Sequence, residues 1–168
     1  MAIVVELGAG SANAESYCTV AFATAYHADR NNTAWAALAT DALKEAALRK
    51  ATEYMVGTYR SRWQGYRVNE DQSLDWPRYG VEVDGYAIDD DIVPEEIKKA
   101  CAEFALRASS ADLLTDQSQG VLSEKVGPIE VTYDKSSPQT TRYKAIENIL
   151  LPFLKAGSDS ICMRLVRS

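Results

Sequence analysis

Residues 93–114 read as one long helix with a continuous apolar face, and any fold for this chain has to cover that face. Pro94 suits the first helical position, where its missing N–H is not needed, and Glu95 and Glu96 suit the positive end of the helix dipole. Ile97, Cys101, Phe104, Ala108 and Ala111 recur at steps of four and three and so share one side, widened by Ala100, Ala105 and Leu113. Burying Ile97, Phe104 and Leu113 contributes about 1.5–3 kcal/mol each. The alanines let neighbouring backbones approach closely.

The partners of this face are legible as further helices. Thr40 is placed to cap a helix over 41–59, with Leu43, Ala47, Ala51, Tyr54 and Met55 inward and Lys44, Glu45, Arg49 and Lys50 outward. Thr19 is placed to cap a shorter helix over 20–30, which buries Phe22 and Tyr26 and ends at Asn31 and Asn32. Residues 33–38 predict a single turn that inserts Trp35 and Leu38. A last helix starts at Thr140 or Thr141, turns Tyr143, Ile146, Leu150 and Phe153 inward, is kinked by Pro152 and ends at Gly157. The expected fold class is mainly α, a small helical bundle with a few short strands or arms.

Residues 1–18 read as an N-terminal arm, with Ile3, Val4 and Val5 favouring a strand and small residues following. Residues 19–157 form the helical domain, and 158–168 a C-terminal arm. Within the domain, a β-segment over 121–134 alternates Ile129, Val131 and Tyr133 with Glu130 and Thr132, after a turn at Gly127 and Pro128. Residues 161–166 form a third strand candidate. Three short strands scattered through a helical chain either pair between subunits or make a small intramolecular sheet. Periodicity is absent over the long loop 60–92. Ordering that backbone costs on the order of 30–60 kcal/mol, against roughly 4–6 kcal/mol for each of Trp63, Tyr66, Trp76, Tyr79 and Tyr86. The loop is expected to be partly mobile in the free protein, or ordered by a partner surface.

A net charge of −6 argues against a generally basic nucleic-acid-binding surface. Residues 41–67 hold six basic side chains (Lys44, Arg49, Lys50, Arg60, Arg62, Arg67) against three acidic ones, whereas residues 69–96 hold ten acidic side chains and Arg78 alone. Such opposed segments either stack on copies or charged partners, or form two solvated faces. Arg60, Arg62, Trp63, Tyr66 and Arg67 form a basic-aromatic cluster of the kind a single-stranded nucleic-acid groove uses. The same residues also suit a loop anchored by Trp63 and Tyr66 with its arginines facing solvent or neighbouring acids.

Signals for catalysis are lacking. Cys18, Cys101 and Cys162 are odd in number and far apart, which points to reduced structural thiols. His27 is the only histidine and reads as structural, at the surface or half-buried. Asp89, Asp90 and Asp91 precede a helix N-terminus without the spacing of a calcium loop. Neither a phosphate-cradling glycine loop nor a run of eighteen apolar residues occurs, and residues 2–7 lack the basic flank and length of a secretory signal. No enzymatic activity, cofactor, metal or membrane span is expected, and synthesis is expected in the cytoplasm.

Several stretches together resemble a known family: Ala14-Glu15-Ser16-Tyr17, residues 35–54, Leu74-Asp75-Trp76-Pro77-Arg78, Ile92-Val93-Pro94 with the helix that follows, and Ser123-Glu124-Lys125-Val126-Gly127-Pro128-Ile129-Glu130-Val131-Thr132-Tyr133-Asp134. They resemble tailed-phage proteins often labelled DnaT-like single-stranded-DNA-binding, and look like the helical head-to-tail adaptor (connector) proteins. The label and the adaptor role differ. The adaptor role implies a virion protein of the neck: a homo-oligomeric, twelve-fold ring docked on the portal protein, with a tail-side stopper or tail-completion protein beyond it. Packaged DNA would pass through the channel without sequence-specific binding. Contacts would then come from the arms and the long loop, with Ile3, Val5, Trp63, Trp76, Arg78, Ile129, Val131, Tyr133, Ile161, Arg164, Leu165 and Arg167 as candidates. The label implies the alternative, a single-stranded-DNA-binding replication protein. On the adaptor reading, deleting residues 161–168 blocks incorporation into particles while the helical circular-dichroism signal survives; normal incorporation would count against it.

Overall fold

The computed structural model describes residues 2–114, 123–126, 129–132 and 142–155. Its helices begin where the caps demand. Thr19 Oγ1 accepts from the Phe22 N–H at 3.0 Å and opens α1 (Val20–Ala28); one short turn, α2 (Thr33–Ala36), follows and buries Trp35. Thr40 Oγ1 accepts from the Leu43 N–H at 3.4 Å and opens α3 (Asp41–Tyr59). The buried side of α3 starts only at Ala47, which leaves its first turn uncovered; Leu43, predicted inward, is 53 % exposed for that reason.

The central helix, α4 (Glu95–Ala108), is shorter than its pattern predicts. Pro94 stands at the N-cap rather than inside the first turn, and Ser109 Oγ and Ser110 Oγ donate to the carbonyls of Leu106 and Arg107, taking acceptors at the end of the helix. Ala111 and Leu113 therefore lie beyond it, Ala111 exposed and Leu113 half-buried. Ile97, Ala100, Cys101, Phe104 and Ala105 are fully enclosed. α4 packs chiefly against α3, with α1 and the later α5 (Lys144–Leu150) on its other sides. That last helix starts at Lys144, later than predicted, and gives way to a 3-10 turn, Leu151–Phe153, that holds Pro152. Gly157 lies outside the described residues. Phe104 is the hub of the interior, its ring centroid 4.8 Å from Tyr54, 5.6 Å from Tyr143 and 6.3 Å from Tyr59.

Two expectations about irregular chain are corrected. Residues 2–18 do not project as an arm: Val5 bridges Ser16 in parallel, the Glu15 N–H donates to Val4 O at 2.7 Å, and Tyr17 and Cys18 are buried. The buried Glu6 carboxylate accepts from the backbone N–H groups of Gly8, Gly10 and Ser11 at 2.7–3.1 Å, curling the segment around itself. Gly8, at φ 121°, lies so close to Asp91 that a Cβ would sit 1.7 Å from its carbonyl oxygen.

Residues 60–92 likewise pack on their own chain. β1 (Tyr66–Arg67) pairs antiparallel with β2 (Arg78–Tyr79), and β3 (Glu82–Val83) with β4 (Tyr86–Ala87). Asp84 and Gly85, at φ 53° and 84°, make the two-residue turn of the second hairpin. Trp63 also bridges Leu154, flanked by Gln64 N–H to Phe153 O at 2.9 Å and Lys155 N–H to Arg62 O at 2.8 Å. Backbone pairing and a shared core, in which Trp63–Trp76 and Trp76–Phe153 centroids lie 5.8 and 5.6 Å apart, hold the loop beyond what its aromatic side chains would contribute one by one.

β5 (Ser123–Val126) and β6 (Ile129–Thr132) form an antiparallel hairpin, with Ser123 opposite Thr132 and Val126 opposite Ile129. The predicted β6 thus has a partner in its own chain. The turn at 127–128, Tyr133 and the strand candidate 161–166 lie outside the described residues.

His27 is buried rather than at the surface. Ala102 O can only accept, so His27 Nε2–H donates to it at 3.0 Å, and Nδ1 accepts from Asn32 Nδ2 at 3.0 Å. Burial, the main cause, holds the imidazole pKa below its ordinary 6.5. Protonation therefore favours the unfolded chain: the stability is fully present above about 6.5 and is lost as pH falls through that value toward the folded pKa. His27→Gln should flatten the dependence of urea-unfolding stability on pH below about 6.5.

Candidate interaction face

The residues that the sequence marks as a basic-aromatic cluster divide between an interior network and an exposed face. Asp75, fully buried, lies at the centre of the network. Its carboxylate accepts from Arg60 Nε at 2.9 Å and from Trp63 Nε1 at 3.3 Å, and its backbone N–H donates to Tyr17 Oη at 3.0 Å. Burial, foremost, pushes the Tyr17 phenol far above its ordinary pKa, so it stays neutral. Asp75 thereby ties the end of α3, the long loop and the N-terminal segment together.

Arg78 is the second tie. Its guanidinium donates to three backbone carbonyls, Gln64 O at 2.7 Å, Gly65 O at 2.7 Å and Asp75 O at 3.0 Å. Only 6 % of the residue is exposed, and burial lowers its pKa from the usual arginine value. Gln72 completes the loop: its Nε2 donates to Leu74 O and Pro77 O around the cis Trp76–Pro77 bond, and its Oε1 accepts from the Asn69 N–H. Arg67 donates to the carbonyls of Gln72 and Glu70.

Trp63, Trp76 and Arg78, predicted as contact residues, are thus enclosed by their own chain, the two tryptophans completely and Arg78 almost so. Ile3 and Val5 are half-buried, Ile3 against the core and Val5 in the bridge to Ser16. Ile129 and Val131 stand in β6, whereas Tyr133, Ile161, Arg164, Leu165 and Arg167 lie outside the described residues.

Other residues are presented instead. Tyr66 and Tyr79 face each other across β1 and β2, 69 % and 48 % exposed, with centroids 5.6 Å apart and planes 33° from parallel. Tyr86 stands 76 % exposed beside the Asp84-Gly85 turn. Period-two alternation over such short strands is too brief to read, but Asp84-Gly85 between Val83 and Tyr86 is a strong hairpin signal that places Tyr86 next to the turn. Cations near this face are partly neutralised: Arg60 carries the Asp75 ion pair, and Glu70, Asp71, Glu82 and Asp84 are all exposed.

Two surface pockets, each of about 280 Å³, involve Lys50, Glu53 and Asp112, and Glu15, Arg49 and Glu53. In the latter, Arg49 Nη2 lies 3.1 Å from Glu15 Oε2, and that bond, before any other influence, lowers the glutamate pKa. Neither pocket sets a nucleophile beside a general base. Among the described residues, no three His, Cys, Asp or Glu side chains converge on a metal-sized site, and no helix is long and apolar enough to cross a membrane.

A family model described as "Putative DnaT-like ssDNA binding protein" matches residues 1–168. The chain belongs to that family. Comparison with curated proteins and with solved structures gave no match.

The geometry ranks the consequences of substitution. Arg78→Ala strands three carbonyls and opens a cavity, so a loss of about 3 kcal/mol or more is expected in urea unfolding. Asp75→Ala should cost about 1–3 kcal/mol, because Trp63 loses its acceptor while Arg60 can return to water. Tyr66→Ala should stay below about 1 kcal/mol.

Proposed function

We propose that this member of the DnaT-like family is a non-enzymatic structural protein of a tailed-phage particle, a head-to-tail adaptor in the neck. It forms a ring of copies, twelve on the adaptor resemblance, that docks on the portal, receives a stopper or tail-completion protein, and surrounds the passing DNA. The observation that carries the reading is the β5–β6 hairpin. Its two four-residue strands have no third strand among the described residues, and a lone two-stranded ribbon is marginal in water. A strand added by a neighbouring subunit would complete its edge hydrogen bonds. The contact residues on this reading are the exposed Tyr66, Tyr79 and Tyr86 rather than the buried tryptophans. The acidic excess over 69–96 suits a wall that DNA passes without sticking. Such a protein is made in the host cytoplasm and ends at the portal vertex.

A second reading, single-stranded-DNA binding, is favoured by the family's description and by the paired, exposed rings of Tyr66 and Tyr79. Base stacking on such rings contributes about 1–3 kcal/mol per base. A reconstruction of the assembled neck decides the first reading: a ring of this chain beneath the portal supports it, and a complete neck without any copy overturns it. Fluorescence anisotropy with a labelled oligonucleotide decides the second. Salt-sensitive binding that weakens roughly tenfold in Tyr66→Ala/Tyr79→Ala would favour it, and on the adaptor reading no such binding is expected.

A further inference from the structure

We propose that the outer edge of residues 3–7 is a strand-addition site for β6 of a neighbouring copy of this chain. The proposal rests on the adaptor reading, because it names the contact by which copies would join into a ring. In extended chain, the N–H and C=O groups of alternate residues point to opposite sides. Val4 and Glu6 turn theirs inward: Val4 O accepts from the Glu15 and Ser16 N–H groups at 2.7 and 3.2 Å, Val4 N–H donates to Glu15 Oε2 at 3.1 Å, and Glu6 N–H donates to Ser16 O at 2.9 Å. Ile3, Val5 and Leu7 point the other way, and among the described residues their main-chain groups have no hydrogen-bond partner. Val4 and Leu7 carry apolar side chains that are 44 % and 76 % exposed. A short extended segment with one edge paired, the other open and apolar groups exposed beside it is a template for another strand.

Charge and strand accounting select the occupant. Val5 and Leu7 also line a groove of about 110 Å³ that continues to Phe22 and Lys98. Lys98 is half-buried and makes no ion pair among the described residues, whereas Lys99 beside it pairs with Glu95 at 2.8 Å. The sequence of β6 sets a single charge, Glu130, opposite in sign to Lys98, between Ile129 and Val131. Among the described residues β6 pairs with β5 alone, so its other edge is open, and within one chain the two open edges are not joined. Joining them between copies gives a four-stranded sheet in the order β5, β6, 3–7, 14–16, which removes the marginality of a lone hairpin. The edge and the hairpin are different surfaces, so every copy uses both and the contact repeats from subunit to subunit until a ring closes. Pairing of two 3–7 edges would instead close a two-fold dimer, leaving Lys98 without a counter-charge and β6 without its strand.

The test uses particles assembled with variant full-length chains, with incorporation read by quantitative immunoblot. Val5→Pro deletes an N–H that the chain itself does not use, at an edge position where proline is tolerated, and Val5→Ala keeps that N–H. Incorporation of Val5→Pro should fall about tenfold and that of Val5→Ala less than about twofold. Lys98→Glu and Glu130→Lys should each lower incorporation about two- to fivefold, and the two together should restore it. Normal incorporation of Val5→Pro, or a double charge swap no better than either single variant, would overturn the proposal. The charge swap decides the matter even if Val5→Pro does not fold. A neck ring in which residues 3–7 meet no strand of the next copy overturns the strand contact and leaves the adaptor reading standing, whereas a complete neck without this chain overturns both.

Discussion

Asp75 is a fully buried carboxylate whose partners come from three separated parts of the chain, and the arrangement of the molecule's loop-rich end depends on it. Arg60 belongs to the end of α3, Trp63 to the chain entering the loop, and Tyr17 to the N-terminal segment. A buried acid of this kind is tolerated only when its acceptor positions are occupied, here by Arg60 and Trp63, while the Asp75 backbone N–H is satisfied separately by Tyr17 Oη, so its place in the fold draws on all three segments. Arg78 applies the same logic with the opposite charge. Its fork meets three main-chain carbonyls that neither hairpin pairs, so a backbone with little regular structure is still satisfied.

Around these polar ties runs a chain of rings. Phe104 on α4 meets Tyr54 and Tyr59 on α3, Tyr59 meets Trp63, Trp63 meets Trp76, and Trp76 meets Phe153 beyond α5. The helical core and the loop core are therefore continuous. Large aromatic side chains explain how so few regular hydrogen bonds suffice there, since each buries much apolar area and orients its neighbour through edge and face contacts. With the tryptophans inside, the tyrosines are what the surface can offer. Tyr66, Tyr79 and Tyr86 combine an apolar ring with a polar tip, which suits contact surfaces that are wet before assembly and dry after it.

The electrostatic layout bears on function in the same direction. Of the arginines in the basic-aromatic cluster, Arg60 pairs with Asp75, Arg62 lies over the Tyr59 ring and Arg67 holds loop carbonyls. The segments that carry the exposed tyrosines also carry the exposed acids Glu70, Asp71, Glu82 and Asp84. On the proposed adaptor reading such a balance would let DNA pass without being gripped, whereas the single-stranded-DNA reading requires cations left available for phosphate.

The sequence by itself determined that these helices exist and most of their inward faces, because caps and three-to-four periodicity are local signals: Thr19, Thr40 and the run from Ala47 to Tyr59 act where they were read, whereas the exposure of Leu43, the early end of α4 and the later start of α5 were decided by the fold. It also carried the family, through motifs spread along the chain. Only the tertiary structure decided which side chains are available for contact. Trp63, Trp76 and Arg78 look like surface anchors in a chain segment without periodicity, yet Trp63 donates to Asp75, Trp76 packs between Trp63 and Phe153, and Arg78 is held by the carbonyls of Gln64, Gly65 and Asp75. Burial of a polar group is set by partners that only the fold brings near, as with His27, whose Nε2 meets the carbonyl of Ala102 from α4 while Asn32 matches its Nδ1. Local pattern records a residue's type and spacing, whereas a buried hydrogen-bond network exists only once the segments that supply its donors and acceptors have met.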